Sequence, residues 1–179
     1  PFALFFTLTI VYLAFEKWRF VFIRKWQLWL FALLTIMPLV FWRVWIQQFP
    51  EGIPASGWLF NAGNIRFKGA FFYWIFADRI GRLILGYWGI VLLALGLIRK
   101  IDKREGLFFF SFLVSSLLYL FVMAGGNVQH DYYQILIIPT IAIFLAKGAD
   151  SLLIASKELA SKTLRYMLLA ICCVSMFAF

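Results

Sequence analysis

The sequence predicts an all-α fold, a polytopic α-helical transmembrane bundle with about six membrane segments, external loops and short interfacial helices. Of the 179 residues, 64% are hydrophobic and 21% are aromatic, and the mean hydropathy is +0.91. A soluble domain is about half apolar, so this chain carries more apolar surface than one core can bury. The apolar residues form near-continuous runs, whereas a membrane barrel needs alternating segments of about ten residues. We therefore expect a single transmembrane domain over residues 1–179.

The first part of the chain is expected to form two spans joined by an interfacial helix. The first span covers 2–15 and the second covers 28–46, where Pro38 predicts a kink. Between them, 16–27 interleaves basic with aromatic residues. This mixture is typical of a helix at the level of the lipid headgroups.

A long loop and a bent helix are expected next. Residues 47–69 contain many turn formers, and the segment is too irregular to lie in lipid. The helical run 70–98 is longer than a hydrocarbon core of about 30 Å requires at 1.5 Å per residue. Its first part is therefore expected at the outer interface, before Gly81 or Gly86 lets the chain turn into the membrane.

The rest of the chain alternates polar connections with spans. These are a charged turn 99–106, a span 107–124, a polar loop 125–134, a span 135–146, an amphipathic connector 147–165 and a span from Tyr166 onward. In the connector, Glu158 and Lys162 form an i,i+4 pair. Cys172 and Cys173 are adjacent in an apolar run, which favours packing over a disulfide or a metal site. Both chain ends lie in apolar runs, so we expect a fragment truncated at both ends.

The distribution of basic residues predicts the orientation in a cell (plasma) membrane. Segments 16–27, 99–106 and 147–165 carry most of the cations, so they are expected to be cytoplasmic. The loops 47–69 and 125–134 are then external. This asymmetry accounts for most of the net charge of +9 and leaves no reason to invoke nucleic acid as a partner.

The polar stretch 125–134 holds the chain's one histidine and is the strongest candidate for a functional site. An imidazole beside a carboxylate and two phenols offers a proton relay, or hydrogen-bond donors for a phosphate or sugar. The alternative is an interfacial aromatic belt in which His130 caps the next helix. One histidine and one acid do not make a zinc site, so no metal ligands are assigned, and a divalent cation is left open as the only cofactor. The candidate side chains are His130, Asp131, Tyr132, Tyr133 and Gln134.

Cations on the predicted external side form a second candidate group. Arg66 and Lys68 flank an aromatic residue and could hold a phosphate, with ordinary snorkelling as the alternative. Asp78 precedes Arg82 by four residues, which predicts a structural helix pair. Arg79 lies on a different side of that helix and is expected to be freer to meet a ligand.

Over about 45–148, the order of features resembles the C-terminal transmembrane half of GT-C glycosyltransferases of the dolichyl-phosphate-mannose-protein mannosyltransferase-like group (family 39). The residues that carry the resemblance are Gly52-Ile53-Pro54-Ala55-Ser56, Asn64-Ile65-Arg66-Phe67, Arg79-Ile80, Leu85-Gly86-Tyr87-Trp88-Gly89, His130-Asp131-Tyr132-Tyr133-Gln134 and Ile138-Pro139.

The resemblance implies transfer of a mannose-like hexose from a polyprenyl-phosphate donor to an acceptor on the external face of the membrane. The acceptor (protein, lipid or glycan) is not specified. It further implies inversion at the anomeric carbon and a general base in an N-terminal loop that the 179 residues do not include. The external cations and the histidine stretch would then bind donor phosphate and sugar. The rival hypothesis is a transporter or flippase for a lipid-linked or anionic substrate, because transporters also use broken helices.

Overall fold

The protein is helical throughout the residues that the computed structural model describes, 5–49, 57–100, 102–154 and 161–178, which confirms the predicted all-α class for them. Its α-helices are α1 (Thr7–Trp18), α2 (Trp26–Ile46), α3 (Gly57–Asn61), α4 (Gly69–Phe72), α5 (Gly89–Ile98), α6 (Lys103–Val122), α7 (Ala124–Gln129), α8 (Ile138–Ile154) and α9 (Lys162–Met176). Three 3₁₀ segments, Arg19–Arg24, Ala62–Phe67 and Asp131–Ile137, and a π-helix, Tyr73–Ile84, connect them. The motif 52–56 and the Glu158 half of the predicted helix pair lie outside the described residues.

Three helical runs among the described residues are long and apolar enough to cross a membrane, and a bent pair raises the number to four. The runs are α2, α6 and Asp131–Ile154, and the bent pair joins Gly69–Ile84 to α5. With 12 and 15 residues, α1 and α9 are shorter than a span requires. Every residue of α2 is exposed or half-buried in this chain, so this helix presents apolar surface on all sides.

The bend expected at Gly81 or Gly86 is present at Gly86. The π-helix ends at Ile84, and the axis of α5 then runs at 111° to it. Gly86 and Tyr87 take φ values of 49° and 57°, a region that costs glycine little and other residues more. A side chain at Gly86 would also overlap the backbone of Met176. This glycine therefore permits both the turn and the close approach of α9.

The main core joins the π-helix, α6, α7 and the start of α8. Its largest members are fully buried aromatic and aliphatic side chains, including Phe71, Ile75, Tyr119 and Leu120. A second contact, between α5 and α8, is closer because it is made by glycines. A Cβ at Gly96 would overlap the carbonyl of Phe144, and one at Gly148 would overlap the carbonyl of Leu92.

Ion pairs and hydrogen bonds group the charged segments at one end of α6. Glu16 pairs with Arg104 (2.6 Å), Glu105 with Lys147, and Asp150 with Arg99. The start of α6, the end of α1 and the middle of α8 are therefore neighbours. These contacts join the three segments that the sequence predicts to be cytoplasmic.

Three boundaries differ from the sequence prediction. Residues 16–18 continue α1, and a 3₁₀ segment, Arg19–Arg24, replaces most of the predicted interfacial helix. The predicted fifth span continues as α8 to Ile154 instead of ending at 146. On this extension, Lys147 pairs with Glu105 and Asp150 pairs with Arg99. The predicted loop 125–134 is also largely helical, since α7 occupies its first half.

Candidate functional site

The segments predicted to be external meet at the far end of α6. Trp58 and Leu59 of α3 pack on α7, and Gly125 allows this because any side chain there would overlap the carbonyl of Trp58. Gly126 lies against Leu59 and the ring of Tyr133. The glycine pair thus lets a short helix bury its backbone between α3 and the 3₁₀ segment Asp131–Ile137. The predicted external loop 125–134 is not exposed along its whole length, because Gly125, Gly126 and Asn127 are buried.

His130 is part of a cluster of four aromatic rings. Its imidazole stacks on Tyr132 (5.1 Å between ring centroids) and Tyr133 (5.8 Å), and the two tyrosine rings lie 4.9 Å apart. The ring of Trp58 meets the imidazole edge-on at 5.5 Å. We call Trp58, His130, Tyr132 and Tyr133 the aromatic cluster. His130 also occupies the N-cap position of the 3₁₀ segment Asp131–Ile137, as the aromatic-belt alternative expects, but its side chain makes no capping hydrogen bond.

The side chain of Gln134, the residue after the aromatic cluster, is buried and hydrogen-bonded to Asn127. Its Nε2 donates to the backbone oxygen (2.7 Å) and to Oδ1 (3.1 Å) of Asn127. Asn127 in turn donates from Nδ2 to the carbonyl of Met123 (3.0 Å) and is fully buried. The hydroxyl of Tyr119 donates to the carbonyl of Tyr133 (2.9 Å). Gln134, predicted as a substrate-binding residue, therefore acts in this structure as a buried anchor.

Arg66 and Arg79 hold backbone carbonyls at the two ends of α7. The Nη2 group of Arg66 donates to two carbonyls, Val122 O (3.0 Å) and Phe60 O (3.3 Å). The Nη2 group of Arg79 donates to Val128 O (3.0 Å). Arginine satisfies the open carbonyls near helix ends well because its donors are always charged. Both side chains fix the position of α7 relative to α3 and the π-helix.

The prediction that Arg79 is freer than Arg82 is wrong. Asp78 accepts from Arg82 at 2.7 Å, as the i,i+4 spacing predicts, but it also lies 3.2 Å from Nη1 of Arg79. The side chain of Arg79 is 14% exposed, against 46% for Arg82. The π-helix explains the difference, because its wider turn places neighbouring side chains at angles that the α-helical spacing does not predict.

Lys68 and Asp131 complete the predicted set as exposed side chains. Neither takes part in the ion pairs found among the described residues. His130 and Asp131 are sequence neighbours, but the imidazole packs on rings and is not hydrogen-bonded to that carboxylate in the described structure. The proton relay suggested by the sequence is therefore not assembled here.

An apolar cavity of about 590 Å³ opens beside the aromatic cluster. Tyr132 and Tyr133 form part of its wall, and the remaining wall is aromatic and aliphatic: Phe6, Phe112, Tyr119, Ile135, Leu136 and Pro139. The tyrosines thus lie between this apolar cavity and the half-buried His130 with the exposed Asp131. Such a site suits an amphiphile, because apolar walls with a few polar groups at one edge fix both the position and the orientation of a ligand.

Sequence reasoning missed Trp58 and the anchoring role of Asn127. Trp58 lies 72 positions before His130, and nothing in its local sequence distinguishes it from the other tryptophans. Asn127 could have been noticed as a polar residue following two glycines, a combination that permits close helix packing.

For a metal, the described residues contain no group of three or more His, Cys, Asp or Glu able to hold one, so the divalent cation stays a prediction.

Comparison with known proteins finds no matching family model, no similar curated protein and no similar solved structure. Any functional conclusion therefore depends on the geometry of this site and on the sequence resemblance.

Proposed function

We propose that this chain is the donor-binding part of a membrane glycosyltransferase of the GT-C type. It would transfer a mannose-like hexose from a polyprenyl-phosphate carrier to an acceptor outside the plasma membrane. In the complete protein, α1 and α9 would cross the bilayer with the longer helices, giving about six membrane segments. The general base would come from a part of the protein other than these 179 residues.

The observation that carries this proposal is the aromatic cluster at the edge of the apolar cavity. Aromatic faces offer flat apolar surfaces with polar edges, which suit the C–H faces and hydroxyls of a pyranose ring. The cavity beside them is lined almost entirely by apolar side chains, as an isoprenoid chain requires. A lipid-linked sugar has both parts in one molecule.

The cations enter the proposal in two different roles. Arg66 and Arg79 act through structure, because their guanidinium groups are engaged with carbonyls of the segments around α7. Lys68 is exposed near the same end and is the side chain that we assign to the donor phosphate. Its charge would stabilise the negative charge that grows on the departing lipid phosphate.

A transporter or flippase is the second candidate, and buried hydroxyls favour it. Thr9 lies 3.4 Å from Ser115, and Ser116 lies 2.6 Å from Thr140, all four being buried within the bundle. A transport route needs polar groups at such depths. These hydroxyls bond to each other, however, which is also how helices associate in lipid. The glycosyltransferase therefore remains the better explanation of the aromatic cluster.

An assay of the complete open reading frame distinguishes the two functions. Membranes containing the protein are incubated with a radiolabelled polyprenyl-phosphate hexose, and the label is followed in the lipid and polar fractions. The proposed function predicts label in a polar acceptor. Intact donor that reaches the opposite leaflet without transfer would support the flippase and overturn the glycosyltransferase.

A further inference from the structure

Two adjacent cavities lie toward the end of α6 opposite the aromatic cluster. The first, of about 420 Å³, is a largely apolar groove between α1 and α6 with Leu8, Val11, Phe110 and Val114 among its walls. The second, of about 620 Å³, is lined by charged residues at the start of α6 and the end of α1. Tyr12, Phe15 and Leu107 line both cavities, so the apolar groove and the charged cavity are adjacent.

The charges in the second cavity do not cancel. Glu16 is paired with Arg104 (2.6 Å), and Asp102 accepts a hydrogen bond from the backbone N–H of Arg104 (3.2 Å) as the N-cap of α6. Three cations and two carboxylates line this cavity, so it keeps one net positive charge. Arg19 and Lys103 are the other cations of this cavity, and neither has an ion-pair partner among the described residues.

Arg19, one of these cations, has an unusual backbone conformation, and its side chain lies over Phe15. Arg19 follows the last residue of α1 with φ of 51° and ψ of −144°, a combination that non-glycine residues seldom adopt. Its guanidinium lies 5.7 Å from the ring centroid of Phe15, which is itself a wall of both cavities. The cation is therefore positioned at the junction between the apolar and the charged cavity.

We propose that this pair of cavities binds an anionic glycerophospholipid of the predicted cytoplasmic leaflet. One acyl chain would lie in the groove between α1 and α6, and the phosphate would lie between Arg19 and Lys103. The start of a 20-residue helix adds a favourable field for an anion there. This site lies at the other end of α6 from the aromatic cluster and is independent of the proposed transferase function.

A phospholipid is preferred over a soluble anion because the charged cavity lies next to the apolar groove and shares three wall residues with it. A free phosphate would use only the cations and would leave the groove to other lipids. An anionic lipid uses both, since juxtamembrane Lys and Arg attract anionic headgroups while acyl chains cover apolar surface.

The test measures lipid binding to the purified full chain in detergent by native mass spectrometry. Phosphatidylglycerol is titrated against phosphatidylcholine with the same acyl chains. We expect preferential retention of phosphatidylglycerol, and about tenfold weaker retention in the Arg19→Gln/Lys103→Gln variant. Val114→Phe, which fills the groove without changing charge, is expected to weaken retention as well.

The matched control is Arg24→Gln/Lys100→Gln, which removes two exposed cations of the same predicted face outside both cavities. It should bind phosphatidylglycerol as the unmodified protein does. Equal losses in the two double variants, or no preference for phosphatidylglycerol, would overturn the proposal. So would glycerol 1-phosphate displacing phosphatidylglycerol at equal concentration, because the site would then be one for a soluble anion. Lipid-free thermal unfolding of each variant checks that the fold is intact.

Discussion

Asn127 and Gln134 illustrate at the scale of single residues how this bundle accommodates buried polar groups. The amide of Gln134 donates twice to Asn127, and Asn127 donates to the carbonyl of Met123. Replacing Gln134 by Leu leaves both oxygens of Asn127 buried without these donors. A buried polar atom that loses its partner costs about 1–3 kcal/mol. We expect Gln134→Leu to lower the midpoint of thermal unfolding in detergent by several degrees.

Gln129→Leu is the matched control for this prediction. It makes the same chemical change at the last residue of α7, two positions after Asn127. The side chain of Gln129 is exposed. Its unfolding midpoint should stay close to that of the unmodified protein. Equal midpoints for the two variants would mean that the Asn127–Gln134 bonds add nothing to stability.

Tyr132 provides the residue-scale test of the proposed sugar site. Its ring stacks on His130 and lies tilted against Tyr133, it is 58% exposed, and it lines the apolar cavity. Tyr132→Ala removes the ring, and we expect transfer by the complete protein to fall at least about tenfold, equivalent to about 1.4 kcal/mol in the barrier. Tyr132→Phe keeps the stacking surface and should retain most of the transfer rate. The measurement is the initial rate of label transfer at equal protein levels.

A Tyr132→Ala variant with the unmodified rate would exclude stacking on this ring as a source of donor binding. A loss in Tyr132→Phe as large as in Tyr132→Ala would instead assign the effect to the phenolic hydroxyl. His130→Ala extends the test to the centre of the aromatic cluster, where the same reduction is expected because the imidazole contacts three rings.

At the scale of elements, the contact between α5 and α8 depends on the absence of two side chains. A Cβ at Gly148 would overlap the carbonyl of Leu92, so Gly148→Ala must push the helices apart. Overpacking of this kind costs about 1–3 kcal/mol. We expect a lower unfolding midpoint for Gly148→Ala, measured in detergent by intrinsic fluorescence.

Gly69→Ala serves as the control for the glycine contact, since a Cβ at Gly69 meets no atom within 4 Å. Its midpoint should be unchanged or slightly raised, because alanine restricts the unfolded chain more than glycine does. A Gly148→Ala protein as stable as Gly69→Ala would show that α5 and α8 separate without cost.

The helices were predictable wherever the apolar run was continuous. The second span was expected over 28–46, and α2 occupies Trp26–Ile46; the bend was expected at Gly81 or Gly86, and it occurs at Gly86. The stretch 125–134 was not predictable in the same way. Two glycines and an asparagine indicate a loop locally, but α7 forms because Trp58, Leu59 and two arginines supply its partners from distant parts of the chain.

The candidate site was predictable by residue type and only in part by role. The polar composition identified His130, Tyr132 and Tyr133, which do form a cluster. It could not identify Trp58, nor could it show that Arg66 and Arg79 are engaged with carbonyls. Those roles depend on which segments meet in three dimensions, and a pattern of residue types along the chain does not contain that information.

At the scale of the whole molecule, the contacts divide the chain between two ends. Segments around 16, 99–105 and 147–150 are joined by ion pairs at one end of α6. Segments around 58–66, 79 and 122–133 are joined by hydrogen bonds and ring contacts at the other. The distribution of basic residues predicts that these two ends lie on opposite sides of the membrane.

Cysteine labelling tests that sidedness directly. Cys172 and Cys173 are free thiols, so both are first changed to alanine. Gln129→Cys and Lys100→Cys are then introduced separately, each at an exposed position near one end of the molecule. The excess of Lys and Arg predicts that the Lys100 end is cytoplasmic. A membrane-impermeant maleimide should therefore label the thiol at position 129 in intact cells and the thiol at position 100 only after permeabilisation. Labelling of both from outside would contradict the division into two ends, and the reverse pattern would place the aromatic cluster in the cytoplasm, where an external acceptor could not reach it.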